Sequence, residues 1–429
     1  MKFVLNSFGS FGDLNPYIGL GRTLKDRGHD VVLALPRFYH PFVEEAGLRA
    51  HAIRPDIEPE NRELVRRVMH PLKGAEFLVR DLMMPVVEQS YEDLDAIVDD
   101  DDVVVSHPLT YAVPVLAEHR RLRWAASVLA PLGFFSRTDP PLIAVHPLVA
   151  AIQRNLPGLY RRTIPLAHVA TRSWGEPVRA LRVKLRLPPG SDPVHSGQFS
   201  PRLVLAMFSR VLAEPQPDWP PNTVVTGAVS WDKVLGGLPP ALSAFLDAGA
   251  PPVVFTLGTS AVAGATAARF YRTSLEAARE AGVRSVLLIG KNVDNRPASA
   301  HGDDVFVADW APHSELFARA ALIVHQGGAG TLHTALASGR PMIIGPHAHD
   351  QGDNAVRAAR NGVAKVVFPT EYRRSVVRDN IRALTSDPAW RRAAEQVAGI
   401  VRAEHGADRA ADSLEGLAEV SNHSGGRAV

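Results

Sequence analysis

The feature that most constrains this fold is a repeated alternation of short apolar runs with segments of helical periodicity. Such alternation is typical of parallel sheets whose strands are joined by crossover helices. Buried strands are predicted at residues 2–6, 31–35, 102–106, 252–257, 285–290, 305–308, 322–325 and 342–344. The chain is therefore predicted to be an α/β protein with two doubly wound parallel sheets.

A proline-rich segment divides the two series of strands. Residues 214–222 contain four prolines and are predicted to form a stiff, extended linker. This linker would separate an N-terminal domain, residues 1–213, from a C-terminal domain, residues 223–387. Helices over residues 388–420 are expected to pack back toward the N-terminal domain, and the polar residues 421–429 are expected to be disordered.

Composition and charge exclude several classes of protein. The 47 Lys and Arg residues nearly balance the 45 Asp and Glu residues, so the chain lacks the positive charge of a dedicated nucleic-acid-binding protein. A cysteine count of 0 excludes disulfides, thiolate-bound zinc and cysteine nucleophiles. Neither a membrane-spanning run nor a signal-peptide pattern occurs, so a cytoplasmic location is expected. Peripheral membrane contact and the choice between monomer and homodimer stay open.

The first helix is predicted to start shortly after the first strand. Asn15 has the side chain of a helix N-cap, Pro16 suits the first helical position, and Gly28 suits the end. Asp13 lies in the loop before that start, within the run SFGSFGDLNP. Its carboxylate can act as a general base toward a hydroxyl or can cap the helix, and the local sequence fits both interpretations.

A second glycine-bearing loop follows a strand of the C-terminal half. Ligands of open parallel sheets bind beyond the carboxyl ends of the strands, where the sequence HQGGAGT, residues 325–331, is expected to lie. Bare amides at a helix N-terminus suit an anion such as a diphosphate, with His325 and Thr331 as further donors. A plain tight turn would need the same glycines. The pattern differs from GxGxxG and from the Walker phosphate loop, which disfavours a nicotinamide enzyme or a P-loop NTPase.

Two further groups are expected at the same edge of the second sheet. Trp310, next to Ala311, can stack on a planar base, although a single Trp after a strand is more often a core residue than a ligand contact. Thr259 and Ser260 can contact a phosphate or simply shape a turn.

A polar cluster follows the strand at residues 342–344. Asp350 and Gln351 offer a carboxylate and an amide, a pairing that suits vicinal sugar hydroxyls. Four residues of this loop could also be considered as metal ligands: His347, His349, Asp350 and Asp353. A metal site is not favoured, because no second cluster of ligands accompanies them.

Taken together, these motifs resemble the nucleotide-sugar glycosyltransferases of family 1, which have the GT-B fold. The segment from Trp310 to Asn354, with HQGGAGT and PHAHDQGDN, is similar to the donor-binding motif of bacterial members. The N-terminal GSFGDLNPYIGLGRTLKDRGHDV is similar to the subgroup of sterol, glycopeptide-antibiotic and rhamnolipid glycosyltransferases. The resemblance implies two Rossmann-like domains that face a cleft, the first binding the acceptor and the second the donor. It is weakest over residues 69–218, where the family builds its acceptor pocket.

The resemblance also implies a reaction: inverting transfer of a sugar from a nucleoside diphosphate to an acceptor hydroxyl, without a metal or other cofactor. Asp13 would be the general base. Many family members have a histidine at this position, supported by an aspartate, and such a His–Asp dyad is not expected here. The implied donor site comprises Gly12, Thr259, Ser260, Trp310, Ala311, His325, Gly327, Gly328, Ala329, Gly330, Thr331, Asp350 and Gln351.

The substrates are less well defined. His333 stands where plant-type members bind ribose through a glutamate, so a dTDP-sugar is at least as consistent as a UDP-sugar. His107 is interpreted as a packing or acceptor-wall residue, with an auxiliary acid or base as the alternative. Apolar side chains suit a hydrophobic acceptor such as a polyketide, macrolide, sterol or lipid, although several of them also suit a core position. The candidate acceptor residues are Phe77, Met84, His107, Phe134 and Phe135.

Three other functions stay open. Nucleotide-sugar 2-epimerases share the two-domain architecture and need no acceptor, so product analysis separates them from a transferase. In an inert nucleotide-sugar binder Asp13 would only cap its helix. A dehydrogenase would have to bind nicotinamide nucleotides.

Overall fold

The computed structural model describes residues 1–58, 61–231, 237–264 and 266–419, which form two α/β domains. Within these residues the first sheet has seven parallel strands in the order β3-β2-β1-β4-β5-β6-β7. They are β1 (Lys2–Asn6), β2 (Asp30–Leu35), β3 (Arg49–Ala52), β4 (Val103–Ser106), β5 (Arg123–Val128), β6 (Val204–Ala206) and β7 (Thr223–Val225). Val4 lies beside Val104 in register, and both strands are buried except at Lys2. Burial on both faces explains their unbroken apolar runs.

The second sheet has six parallel strands in the described part of the chain, in the order β10-β9-β8-β11-β12-β13. They are β8 (Val253–Thr256), β9 (Ser285–Leu288), β10 (Val305–Ala308), β11 (Leu322–His325), β12 (Met342–Ile344) and β13 (Ala364–Val366). Each of the predicted strands is present, so the prediction of two doubly wound parallel sheets is confirmed.

Helices cover both faces of each sheet. The first domain contains α1 (Phe11–Asp26), α2 (His40–Glu45), α3 (Arg62–Val68), α4 (Gly74–Glu76), α5 (Val87–Asp95), α6 (Ala112–Arg120), α7 (Pro147–Asn155), α8 (Pro157–Tyr160), α9 (Thr163–Thr171) and α10 (Glu176–Lys184). The later helices are α11 (Pro240–Asp247), α12 (Gly258–Ala261), α13 (Ala267–Ala281), α14 (His313–Ala318), α15 (Ala329–Ser338), α16 (Gln351–Arg360), α17 (Arg374–Ser386), α18 (Pro388–Arg402) and α19 (Gly406–Glu419). Among the described helices none combines the length and apolarity that a membrane span requires.

Helix α1 begins earlier than predicted. Its N-cap is Ser10, and Ser10 and Asp13 form a reciprocal capping box. The prediction of Asn15 as N-cap is therefore wrong, and Pro16 lies inside the helix. Two backbone amides at the N-terminus gain partners from the capping box, which favours the earlier start.

The predicted domain boundary is also corrected. Strand β7 pairs with β6, with Thr223 beside Val204, so residues 223–225 belong to the first sheet. Val229 is buried in the same core. The proline-rich residues 214–222 therefore connect two strands of one domain. Prolines predict extended backbone, but they do not specify what that backbone connects.

The two C-terminal helices pack on different domains. On α18, Val397 and Val401 are buried with Leu332 of α15 in the core of the second domain. On α19, Leu414 is buried with Ile18 of α1 in the core of the first domain. The prediction that the C-terminal helices pack back is thus confirmed for α19 and wrong for α18. The predicted disorder of residues 421–429 lies outside the described residues.

Candidate functional site

The two glycine-bearing loops meet across the cleft between the domains. One loop follows β1 and enters α1, and the other follows β11 and enters α15. A Cβ atom added at Gly330 would lie 3.4 Å from the Cα atom of Gly12. The absence of side chains at these two positions allows the N-termini of α1 and α15 to approach each other. Both helix ends direct the positive end of a helix dipole toward the junction, but within the described segments only α15 lacks a side-chain cap, since the capping box occupies amides of α1.

Asp13 is held at this junction by its own loop. Its Oδ2 accepts hydrogen bonds from the Ser10 backbone N–H at 2.8 Å and the Ser10 hydroxyl at 3.2 Å. Gly9 has φ +133°, and a Cβ atom there would lie 2.3 Å from the same oxygen. The loop therefore requires glycine and directs Oδ2 inward. The Asp13 side chain is 37% exposed, so the carboxylate caps its helix and still faces the cleft.

A histidine from the neighbouring strand lies against the other oxygen of Asp13. His107 follows β4, which pairs with β1, and its Nε2 is 3.6 Å from Asp13 Oδ1. The Nδ1 of His107 accepts a hydrogen bond from the Leu109 N–H at 3.1 Å. We therefore assign the hydrogen to Nε2, which directs an N–H at Asp13. The dyad that was not expected has a histidine at the start of the first helix with an aspartate supporting it. Here that position carries Asp13, and the histidine beside it, His107, comes from the neighbouring strand.

The pKa values of Asp13 and Asp350 are shifted in opposite directions. Burial favours the neutral form of Asp13, but the His107 side chain and the Ser10 donors outweigh it and hold the pKa of Asp13 below its ordinary value. Burial, together with the negative charge of Asp13, raises the pKa of Asp350 to about 7. A hydrogen bond of 2.8 Å from Asn354 Nδ2 opposes that rise. Asp13 is thus the ionised carboxylate of the cleft and Asp350 the readily protonated one.

Helix α15 offers its N-terminus to an anion. Gly328 is its N-cap, and among the described residues no side chain caps this end. The first amides of the helix belong to Ala329, Gly330 and Thr331, which are half-buried at the cleft. Gly327 has φ +89°, the left-handed conformation through which the chain turns into the helix. This arrangement suits a diphosphate, and binding of one at this end of α15 stays a prediction.

His325 lies deeper than the sequence suggested. Its ring is fully buried, its Nδ1 accepts the Gly327 N–H at 3.1 Å, and its Nε2 is 3.3 Å from Met342 Sδ. Burial lowers the pKa of His325 to about 3, so the ring is neutral. Nδ1 supports the turn, Nε2 contacts the neighbouring strand β12, and no ring atom is exposed to the cleft. A diphosphate contact by His325 stays a prediction that this geometry does not favour.

The residue after His325 was missed by sequence reasoning. Gln326 belongs to the loop after β11, and its side chain lies against the loop after β8. Its Nε2 would be 2.3 Å from a Cβ atom at Gly258 and 2.8 Å from one at Gly328. Its Oε1 is buried and has no hydrogen-bond partner in the part of the chain that is described. Thr259 is exposed beside it, and Ser260 follows in α12. The only sequence signal for Gln326 was its place between His325 and two glycines.

Trp310 and the pair Asp350–Gln351, called the DQ pair below, lie at the carboxyl edge of the second sheet, as its topology predicts. Trp310 follows β10 and is 42% exposed, which rules out a core position and leaves part of the residue open to a ligand. Ala311 is fully buried. Gln351 Oε1 accepts the N–H groups of His347 at 2.9 Å and Ala348 at 3.2 Å, so this oxygen shapes the loop. Direct sugar contacts by Asp350 and Gln351 stay predictions.

His347 and Asp353 have structural partners, whereas His349 differs from them. His347 Nδ1 lies 2.8 Å from the Gly345 carbonyl, and Asp353 forms an ion pair with Arg357. His349 has φ +55°, a strained conformation for a side-chain-bearing residue, and its Nε2 is buried without a hydrogen-bond partner among the described residues. Over the described ranges no three His, Cys, Asp or Glu side chains are grouped as metal ligands.

Two predicted acceptor residues prove to be core residues. Met84 is fully buried, and Phe134 stacks on Trp219 with ring centroids 4.0 Å apart. Phe77 stays half-buried under the guanidinium of Arg67, 3.7 Å away. A small cavity opens next to the His107 loop, at the carboxyl ends of β1 and β4. Its lining includes Ser7, Phe8, Met83, Leu109 and Thr110.

Phe135 lies in a separate aromatic group. Its ring is half-buried and meets His195 edge-on at 5.0 Å. His168 stacks on His195 at 3.9 Å. Burial lowers the pKa of His195 to about 4, so this imidazole is neutral and contributes an apolar surface. An acceptor contact by Phe135 stays a prediction.

His333 connects the donor-side helix to the first domain. Its Nε2 accepts the Ser209 N–H at 3.2 Å, and its Nδ1 lies 2.8 Å from the Ala329 carbonyl within α15. Ser209 also donates its hydroxyl to Glu404 Oε1 at 2.9 Å, in the turn between α18 and α19. His333 therefore contacts the first domain, although it stands where plant-type family members bind ribose through a glutamate.

Comparisons with known proteins agree with this architecture. Residues 284–417 match the family described as "Erythromycin biosynthesis protein CIII-like, C-terminal domain". The chain is 32% identical to O-mycaminosyltylonolide 6-deoxyallosyltransferase of Streptomyces fradiae, over 98% of each chain. It is 30% identical to the vancomycin aglycone glucosyltransferase of Amycolatopsis orientalis, over 85% of each chain. A solved structure, spinosyn rhamnosyltransferase SpnG complexed with thymidine diphosphate, is 18% identical with a TM-score of 0.67, covering 97% of this chain and 100% of that one.

Proposed function

Since this chain belongs to the family 1 bacterial natural-product glycosyltransferases, which have the GT-B fold, we propose that it glycosylates a hydrophobic small molecule with inversion. The donor is a dTDP- or UDP-sugar, and Asp13 is the general base. The observation that carries the proposal is the position of Asp13. This ionised carboxylate faces the cleft where the amide-bearing end of α15 approaches most closely.

Asp13 removes the proton of the acceptor hydroxyl. The acceptor oxygen then forms a bond to the anomeric carbon of the sugar, and the bond from that carbon to the diphosphate oxygen breaks. In-line displacement inverts the anomeric centre, and the proton stays on Asp13 until it passes to solvent. The N–H of His107 holds the carboxylate in the orientation that directs it at the acceptor.

The leaving diphosphate is stabilised at the N-terminus of α15. Its negative charge increases as the glycosidic bond breaks, and the amides of Ala329, Gly330 and Thr331 can donate to it there. We propose that these amides take the role that a divalent cation has in other transferases. Asp350 and Gln351 hold the sugar hydroxyls, and protonated Asp350 can donate a hydrogen bond as well as accept one.

We propose that the donor carries dTDP in preference to UDP. His333 uses both ring nitrogens within the protein, so it has no free acceptor for ribose hydroxyls. The SpnG structure carries thymidine diphosphate, and the relative from Streptomyces fradiae is named for a deoxysugar. Exposed Trp310 is the stacking partner of the base.

The acceptor is proposed to be a hydrophobic natural product. The relatives are named for O-mycaminosyltylonolide and for the vancomycin aglycone. Half-buried Leu109, on the loop that carries His107, offers apolar surface close to the base.

The test begins with ligand-induced stabilisation. Thermal unfolding is recorded with saturating dTDP, UDP, GDP and NAD, because a ligand specific for the folded state stabilises it by about 2.7 kcal/mol at a hundredfold excess over Kd. Stabilisation by dTDP or UDP supports the donor site and selects the sugar nucleotides for acceptor screening. A response to NAD alone would contradict the proposal. Product analysis distinguishes a glycoside from an epimerised sugar nucleotide.

The Asp13→Asn variant then tests the base. We expect turnover to fall by about 10² to 10⁴ while the Kd for dTDP stays unchanged. The control is Asp387→Asn, which alters an N-cap at α18 far from the cleft: Asp387 accepts the Ala389 N–H at 2.8 Å. Wild-type turnover in Asp13→Asn would remove Asp13 from the chemistry.

A further inference from the structure

A short segment of the first domain lies on the helix that begins with the DQ pair. Residues 139–145 follow β5 and reach the first turn of α16. The backbone N–H of Leu142 donates to Asp353 Oδ1 at 2.9 Å, and the Leu142 side chain is fully buried. A Cβ atom at Gly352 would lie 3.2 Å from Val145 and 3.3 Å from Leu142. The segment therefore packs directly on α16.

A buried group of charges secures this contact. The side chain of Arg357 on α16 is 2% exposed, and its Nε donates to Asp353 Oδ2 at 2.7 Å. Its Nη1 forms an ion pair with the Asp139 carboxylate and donates to the Leu212 carbonyl at 3.1 Å. Its Nη2 donates to the Asp139 carbonyl at 3.2 Å. One guanidinium thus joins α16 to two segments of the first domain.

The energetics indicate a geometric role. Asp353 is fully buried, so the two charges of the Asp353–Arg357 pair have lost their hydration. Apolar side chains of the same volume would usually stabilise such an interface as well as an ion pair does. A network in which each donor has a defined acceptor instead specifies one relative position of the two domains. In this protein the network fixes the position of residues 139–145 relative to Asp350 and Gln351 at the start of α16.

We propose that Asp139, Arg357 and Asp353 are positioning residues for glycosyl transfer. They hold residues 139–145, at the carboxyl edge of the first sheet, in register with the helix that begins at the sugar-binding pair. The acceptor hydroxyl and the anomeric carbon are thereby aligned when both domains are in contact. The alignment rests on the proposed function, whereas the contact itself does not. Nucleotide binding by Trp310 and α15 is expected to be independent of these residues.

The test uses Asp139→Asn, since the Asp139 side chain is 25% exposed and its replacement leaves Arg357 paired with Asp353. The matched control is Asp100→Asn, which removes a surface partner of Arg120 in the same domain. Both proteins are compared with wild type for dTDP affinity, acceptor kinetics and hydrogen exchange of a peptide covering residues 139–148. The exchange measurement requires no catalysis.

We expect Asp139→Asn to lower kcat/KM for the acceptor by about 10- to 100-fold, as misplacement of reacting groups does, with dTDP affinity within about twofold of wild type. Exchange at residues 139–148 should accelerate in this variant and not in Asp100→Asn. Arg357→Lys should lose activity as well, because an ammonium cannot reproduce the planar set of donors.

Three results would overturn the proposal. The first is an unchanged rate of hydrogen exchange at residues 139–148 in Asp139→Asn. The second is an unchanged kcat/KM of this variant for the acceptor. The third is a loss of sugar transfer that is matched by a loss of dTDP affinity. Failure of the proposed function is recognised separately: wild type would then transfer no sugar, while accelerated exchange in Asp139→Asn would still support the interdomain contact.

Discussion

Lowering the pH should destabilise the folded protein through His333, the residue that joins α15 to the first domain. The ring is buried, and its Nε2 already accepts the Ser209 N–H, so a proton on that nitrogen would face a donor. Burial lowers the pKa of His333 from 6.5 to about 4, despite the Ala329 carbonyl, which favours the charged form. The folded protein therefore keeps this ring neutral over a range in which the unfolded chain protonates it.

The magnitude and sign follow from that difference. A decrease from 6.5 to about 4 is about 2.5 pKa units, and at about 1.36 kcal/mol per unit it corresponds to about 3 kcal/mol. Below pH 6.5 the unfolded state binds a proton that the folded state does not, so the free energy of unfolding decreases as the pH falls. The decrease ends near pH 4, where the folded state also protonates. At pH 4.5 about 2 to 3 kcal/mol should be lost through this one residue.

The assay compares urea unfolding of wild type and His333→Gln at pH 7.5 and pH 4.5. Glutamine offers an acceptor and a donor but does not titrate, so at pH 7.5 the two proteins should differ by about 1 kcal/mol or less. At pH 4.5 wild type should have lost about 2 to 3 kcal/mol more than the variant. Other buried histidines titrate in both proteins, and their effects cancel in the comparison. Equal losses in the two proteins would refute the reasoning.

Three further predictions concern the cleft. His107→Gln removes the side chain that holds the pKa of Asp13 down, so the acid limb of the kcat/KM profile should move to higher pH; an unmoved limb would exclude this coupling. Trp310→Ala should weaken dTDP binding about tenfold or more, measured by calorimetry, with the melting temperature unchanged because the side chain is exposed. Treatment with EDTA should leave transfer unchanged if helix amides stabilise the leaving group, and loss of activity restored by Mg²⁺ would contradict that role.

The strands could be predicted because their signal is local. Apolar runs such as residues 2–6 and 322–325 are buried on both faces of a parallel sheet, and burial of that kind leaves the same pattern wherever the strand lies. The position of Trp310 and Asp350 at one edge also followed from the sequence, because parallel strands end at the same side of a sheet. Exposure of Trp310 then distinguished a candidate ligand contact from a core residue.

The errors have physical causes as well. Asn15 was preferred as N-cap because Pro16 follows it, but a capping box at Ser10 satisfies the backbone earlier. Met84 and Phe134 share the apolar character of an acceptor wall, and composition cannot distinguish a wall from a core. The proline-rich residues 214–222 are a connector, but between β6 and β7 of one sheet.

The two parallel sheets, the glycine-bearing loops at their edges and the family can be recognised from the chain alone, since each depends on periodicity or on residues adjacent along the chain. Which of these residues meet follows only from the way the chain folds. His107 reaches Asp13 because β4 pairs with β1, and Arg357 reaches Asp139 across the domain interface. Such partners lie roughly a hundred or more positions apart, so no local pattern records them, and only the packing of the folded chain brings their charges together.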